Sequence, residues 1–452
     1  MNKIRNWSEF LSEKQHLPSK IYYPGEQFVY DSGILPVGIT ANQGDILSLV
    51  KEPGMTAYQV PGVAADWLVI RNSGTTQQMI DEAVVVEPGK VVANLGESSA
   101  VFPKTTIPEF FRQLPLKFLL DCYGYGACRK RSQTDPSWSR CGNPLMAISL
   151  PLHDLKRCLV SDEGHVLAYL DATDSSKLAS GGIANLSGVK DPENPGSPFG
   201  QVMVEIPECF RYHFVADGIE YVCLSAESFP VDETVEKVHI PAGCFYSAYE
   251  AAMDRSGEED KLASVVNTSE EFIGGTGNTE LEGDKDLHGR PVTNISLSNF
   301  RKSATRRGEG WHCDTYFLLR HVYWLFVTEY LTSNSQSITA IGEGVTTWTS
   351  TAWNNFNSYN PFIPCGKTNA LGNASGKVEH TLESVDMTFY VPSYRGIENP
   401  FGHIWSKCDG ILVNSANGRN AVYVCNNPQS FADTLNEDYK LIGYAPTANN
   451  YY

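Results

Sequence analysis

The chain alternates between short apolar runs and chain-reversing residues for its first half, then changes texture. From 21 to 102 the runs are brief and β-like. Examples are 64–71 (Ala-Ala-Asp-Trp-Leu-Val-Ile-Arg), 82–86 and 91–95, with turns at Pro53-Gly54 and Pro88-Gly89. This spacing predicts a compact all-β attachment or docking module over 21–102. Before it, 6–15 sets Trp7, Phe10 and Leu11 on one side of a short helix, giving an N-terminal arm over 1–20. Residues 103–120, with Pro103, Pro108 and Pro115, read as a linker holding a short helix at 109–114. Over 121–230 the segments 145–152, 165–170, 201–206 and 211–215 alternate as half-buried antiparallel strands do, around a Gly/Asn/Ser/Pro-rich loop at 181–198. That is a second β-rich module.

Helical periodicity appears only in the last part, 231–452. Segments 235–240 and 244–249 read as paired strands. Ser296 or Ser298 is placed to cap a first helix, with Gly308 where its C-cap would fall. Asp314 is placed to cap a second helix over 315–330, whose apolar residues nearly encircle it and predict deep burial. In 401–410, Phe401, Ile404 and Trp405 between two glycines read as a short buried strand. The segment 342–376 keeps neither period. It sets Trp348, Trp353, Phe356 and Tyr359 among Asn354, Asn355 and many glycines. Long irregular loops on a rigid scaffold carry recognition, and this composition suits sugars and protein surfaces. The pattern predicts an α+β, multidomain chain with β-rich modules first.

Composition narrows the function. The 452 residues suffice for two or three domains with their own cores. Apolar residues at 42% and charged ones at 19% describe a globular chain. A formal charge of −17 argues against nucleic acid as a partner, because phosphate binding needs clustered cations. No signal-peptide core opens the sequence, and Arg320, His321 and Glu329 interrupt the most apolar helix, so neither a leader nor membrane insertion is expected. The eleven cysteines lack any C-x-x-C pair, which predicts free, mostly buried thiols and no zinc site.

Three stretches stand in a telling order. Tyr249 and Glu250 close the run Cys244-Phe245-Tyr246-Ser247-Ala248-Tyr249-Glu250. Pro291, Val292 and Ser296 lead into the first helix. Asn399, Phe401, Gly402 and Trp405 lie in Asn399-Pro400-Phe401-Gly402-His403-Ile404-Trp405. Together they resemble the formylglycine-generating-enzyme (sulfatase-modifying-factor) family, a branch of the C-type lectin fold. The resemblance implies a C-type-lectin-like domain over 231–452, with two helices flanking a twisted antiparallel sheet. Its oxidase chemistry does not carry over. His403 stands where that family has Asn, Trp405-Ser406-Lys407 replaces Trp-Glu-Trp, and the family's closing segment is missing. Cys408 and Cys425 therefore read as structural, and no enzyme activity is expected. Glu398-Asn399-Pro400 holds the letters of the lectin calcium tripeptide in the wrong order, and the acidic run 280–286 lacks a terminal Glu, so neither calcium nor another metal or cofactor is expected.

A nearer resemblance runs through 142–145, 202–207 and 393–402 to tail and fibre proteins of gut bacteriophages and prophages, some diversified by retroelements. It implies a virion protein made without a signal peptide in the host cytoplasm. It also implies a trimer, partnership with other virion proteins, and binding loops that recognise a bacterial surface glycan or protein. A diversified segment is expected beyond Tyr452. On this reading Trp348, Trp353, Asn354, Asn355, Phe356 and Tyr359 make the contact. The alternatives are a purely structural fibre or decoration protein and, further off, the oxidase.

Overall fold

The computed structural model describes residues 27–29, 46–50, 66–70, 91–95, 98–102, 115–143, 146, 154–274, 287–293, 295–344, 363–382, 387–404, 406–416 and 419–445. The expected helices at 6–15 and 109–114, the strand at 82–86, most of 145–152, and Trp405 lie outside these residues. So does the whole run from Trp348 to Tyr359. The protein is a β-rich α+β chain of small antiparallel sheets with few helices. It divides into two compact units, and neither is one continuous stretch. The first takes Met1–Ser132, Ser139–Pro151 and Cys209–His239, and the second Gln133–Trp138, Leu152–Glu208 and Ile240–Tyr452.

The first unit contains a five-stranded antiparallel sheet in the order Glu236–Ile240, Cys209–Ala216, Ile219–Ser225, Gly124–Lys130, Ser139–Gly142. Asp217-Gly218, both at positive φ, turn the central hairpin, as the Asp-Gly signal requires. Helix α1 (Leu116–Tyr123) packs Leu119 and Leu120 with Tyr212, Phe214, Cys223 and Phe229. Tyr212 is fully buried, and its hydroxyl donates to Glu227 O and accepts from Phe229 N–H, both at 2.7 Å. Gly126 lies in register between Cys141 and Cys223. Its missing side chain lets the two thiols meet at 3.7 Å.

The strand at 236–240 corrects the expected pairing with 244–249. Cross-strand charge decides the matter: Glu236 receives Arg211 Nη2 at 3.3 Å and faces His213 Nδ1 at 3.4 Å, which joins this strand to Cys209–Ala216. Cys244–Ser247 instead pairs with Gln201–Ile206.

The second unit holds a four-stranded sheet (Cys244–Ser247, Gln201–Ile206, Lys156–Val160, Val166–Tyr169) and a three-stranded one (Gly376–Leu382, Met387–Tyr394, Ile397–Glu398). A further three-stranded sheet comprises Ile411–Ala416, Arg419–Val424 and Lys440–Ala445. Helix α2 (Leu297–Thr305) starts at Ser296, whose hydroxyl accepts from Asn299 N–H. It ends with Arg306 as C-cap, two residues before Gly308. Helix α3 (Tyr316–Tyr330) is capped by Thr315, whose hydroxyl accepts from Leu318 N–H, and not by Asp314. Asp314 is drawn away because its Oδ2 accepts from the Tyr246 hydroxyl at 3.1 Å. Leu331, at φ 56°, ends the helix.

All eleven cysteines are free, seven of them buried. Among the described residues no helix is long and apolar enough to cross a membrane.

Candidate ligand-binding pocket

The three stretches that carry the resemblance meet in the second unit. Val292 N–H donates to Ala251 O at 2.8 Å, and Glu398 N–H to Ala248 O at 2.9 Å. The His403 ring bridges Glu250, at Nδ1, and Ile363 N–H, at Nε2 (3.1 Å). Since the amide can only donate, Nε2 accepts and Nδ1 carries the proton toward the carboxylate.

At the centre is a fully buried guanidinium, Arg157. Nε donates to Gly396 O at 2.7 Å, Nη1 to Asn369 Oδ1 at 2.9 Å and Ser175 Oγ at 3.2 Å, and Nη2 to Thr368 Oγ1 at 2.9 Å. Its Cζ lies 5.3 Å from the centre of the buried Tyr249 ring. Thr368 passes the interaction on, since its hydroxyl donates to Glu398 Oε2 at 2.8 Å. The Glu398 carboxylate, 3% exposed, also accepts Gly366 N–H at 2.8 Å and Thr368 N–H at 2.6 Å. Burial raises its pKa against the opposing pull of Arg157 and these donors.

This network fixes residues 397–403 as a strap. The expected strand at 401–410 does not form, because the chain enters the left-handed region at Asn399 (φ 49°) and again at Gly402 (φ 73°), which breaks an extended run. Only Ile397–Glu398 pair as strand. Gly402 packs against Gly344, where an added Cβ would lie 2.6 Å from Glu343 O.

Beside the strap, α3 presents Tyr316, Leu319, Arg320, Tyr323 and Phe326 to a pocket of about 490 Å³. Their spacing of three and four places them on one face. Val322 and Trp324 of α3, Ile397, Pro400 and Phe401 from the strap, and Tyr394 and Tyr246 complete the lining, and Ser333 and Ser335 add hydroxyls. Phe326 packs edge-on against Tyr394 at 5.5 Å and Phe401 at 6.2 Å. Tyr323 is 41% exposed. Arg320 lies 5.7 Å from the Tyr316 ring centre and is the only charged side chain among the described lining residues.

Behind the wall, Tyr246 connects to Asp314. The Asp314 residue is partly exposed, yet its Oδ1 is sealed from solvent and meets no partner, which pushes the carboxyl pKa up to about 7. Arg301 holds the neighbouring Asp409 at 2.6 and 2.9 Å, and Asp409 O accepts Tyr316 N–H at the start of α3.

The expected framework residues thus divide by role. Tyr249, Glu250, Asn399 and Gly402 build the network and strap, Phe401 faces the pocket, Val292 is buried, Ser296 caps α2, and Pro291 closes in on Gly274. Trp348, Trp353, Asn354, Asn355, Phe356 and Tyr359 lie outside the described residues. Sequence reading missed Arg157, Thr368 and the Tyr316–Tyr323 face. The helix face was legible as an aromatic stripe at three- and four-residue steps, whereas nothing local marks Arg157. Among the described residues no group of three or more His, Cys, Asp or Glu stands ready to hold a metal. No protein-family model, curated protein or solved structure matches the chain.

Proposed function

We propose that the chain is a non-enzymatic binding protein: a virion-borne adhesin that recognises a bacterial surface ligand through a lectin-like second unit. The observation that carries this reading is the aromatic pocket. Small-molecule sites are typically concave spaces of ~300–1,000 Å³, mostly apolar and aromatic, with a few polar groups that orient the ligand. The space beside α3 has that size and composition. The resemblance to phage fibre proteins supplies the virion setting, the expected trimer and the absence of a cofactor. The loop residues from Trp348 to Tyr359 are proposed as additional contacts.

The test is binding of the purified chain to bacterial surfaces and glycan arrays, with Tyr323→Ala as the probe, because that ring is exposed at the pocket. Loss of binding with an unchanged melting temperature supports the adhesin. A wild-type chain that adsorbs to no surface and no glycan would instead mark a structural fibre component.

A further inference from the structure

We propose that the junction between the start of α3 and residues 408–410 is a pH-operated latch, shut while Asp314 is a neutral carboxyl and released when it ionises. The junction is thin. Among the described residues it is one parallel bridge, Thr315 with Asp409, closed by Asp409 N–H to Asp314 O and Tyr316 N–H to Asp409 O, both at 2.8 Å. Asp409 and Cys313 are buried under it, whereas Ser406 and Lys407, next along the chain, are exposed. Water has a short way in, and a segment held by so few backbone bonds opens without unfolding the whole unit.

An ionised Asp314 has little to hold it in the closed junction. Its Oδ1 is sealed and meets no partner, and its Oδ2 has the Tyr246 hydroxyl. The charges on the surrounding elements do not answer it. From α2, Arg301 is engaged by Asp409 at 2.6 and 2.9 Å and by Asp433 at 3.1 Å. Residues 406–410 bring a second anion, Asp409, the Cys408 thiol, and Lys407, which lies in solvent. Before α3, burial keeps Cys313 a thiol and lowers the pKa of His312, so that ring is uncharged at neutral pH. Helix α3 carries no charge before Arg320. Beyond Tyr246, Glu250 is one more anion, held by His403. Tyr246 and the Thr315 amide favour the charged form, and burial outweighs both. A buried carboxylate without a counter-charge is costly, and opening gives it water.

The closed form, whose carboxyl titrates at about 7, holds the proton more tightly than the open form, whose carboxyl titrates near 3.8. Opening is therefore rarest below pH 3.8, grows as pH rises, and levels off above about 7. Between pH 5 and 8 these values allow a rise of up to about a hundredfold. Tyr246 and Tyr316 both line the pocket, so that end of it is firm in acid and loosens in base.

The experiment is hydrogen exchange of the full chain at pH 5, 6.5 and 8, corrected for the intrinsic rate at each pH. It is read in peptides covering 314–319 and 406–411, with the strand at 201–206 as reference. Junction protection should fall about tenfold or more from pH 5 to 8, and further than in the reference strand. Alkylation of Cys313 and Cys408 gives a second readout. Burial pushes both thiols up to about 12, so the closed form is inert and the labelling rate, relative to a free cysteine peptide, follows opening. Asp314→Asn, which cannot ionise, should flatten both profiles. Tyr246→Phe, which removes the side-chain donor on the carboxylate, should extend the rise to higher pH. Junction protection that ignores pH, or a pH dependence that survives Asp314→Asn, would overturn the latch. So would an equal fall at 201–206, which would make the event unfolding of the whole unit.

Discussion

Removing the Arg157 side chain should be the most damaging single change in the second unit, and the structure sets its size. Four side-chain hydrogen bonds from a fully buried cation would be lost. At ~1.5 kcal/mol for a bond to a charged group, they sum to about 6 kcal/mol. Relief of the cation's own desolvation lowers this to ~3–5 kcal/mol, the usual loss when one member of a buried charged set is removed. Arg157→Met keeps the volume and discards the donors, so urea unfolding followed by fluorescence and circular dichroism should move to lower denaturant by ~1.5–2.5 M, taking a slope of ~2 kcal/mol/M. The informative step is the double mutant. Arg157→Met leaves Glu398 buried without its counter-charge, so adding Glu398→Gln should recover at least ~1 kcal/mol. If Arg157→Met moves the midpoint by less than ~0.5 M, or if the two losses simply add, the network is not the support described here.

Two further outcomes follow from the same geometry. Asp314 has its pKa raised in the folded state, so the folded chain binds that proton more tightly than the unfolded one. Its favourable contribution is complete below the unfolded value of 3.8 and is lost as pH rises toward about 7. Asp314→Asn, which mimics the protonated form, should thus be near neutral at pH 3.5 and progressively stabilising up to pH 8, read as a melting-temperature difference; a flat profile would count against it. Gly126→Ala would set a Cβ 2.2 Å from Val222 O and 2.8 Å from Cys223 Sγ, forcing two strands apart. It should destabilise the first unit by ~1–3 kcal/mol or more, and an unchanged unfolding midpoint would refute the packing argument.

What could be read from the sequence was whatever rests on local pattern. The α3 helix, the Ser296 cap, the strands read at 201–206 and 211–215 and the burial of most of the thiols all follow from periodicity or short-range hydrogen bonding. The errors lie where distant partners decide. Asp314 looks like a cap until Tyr246 claims its oxygen. Residues 401–410 look like a strand until Asn399 and Gly402 adopt positive φ. Arg157, Thr368 and Glu398 are 211 and 30 positions apart along their two bonds, a separation that no window of sequence spans.

That long-range network also explains how a pocket of mixed origin keeps its shape. One wall is a helix, which hydrogen-bonds its own backbone. The other is an irregular strap with only two residues of strand, which has no regular ladder to hold it. Irregular backbone near a site holds its form only when its neighbours over-determine it. Here the fixing points are Glu398 in its cage of donors, Gly402 against Gly344, and His403 clasped between Glu250 and Ile363. Glu398 and His403 are buried and Gly402 is half-buried, so the strap is held from behind and leaves Pro400 and Phe401 facing the pocket. A substitution at Phe401 should accordingly act on binding far more than on stability, and one at Glu398 on both.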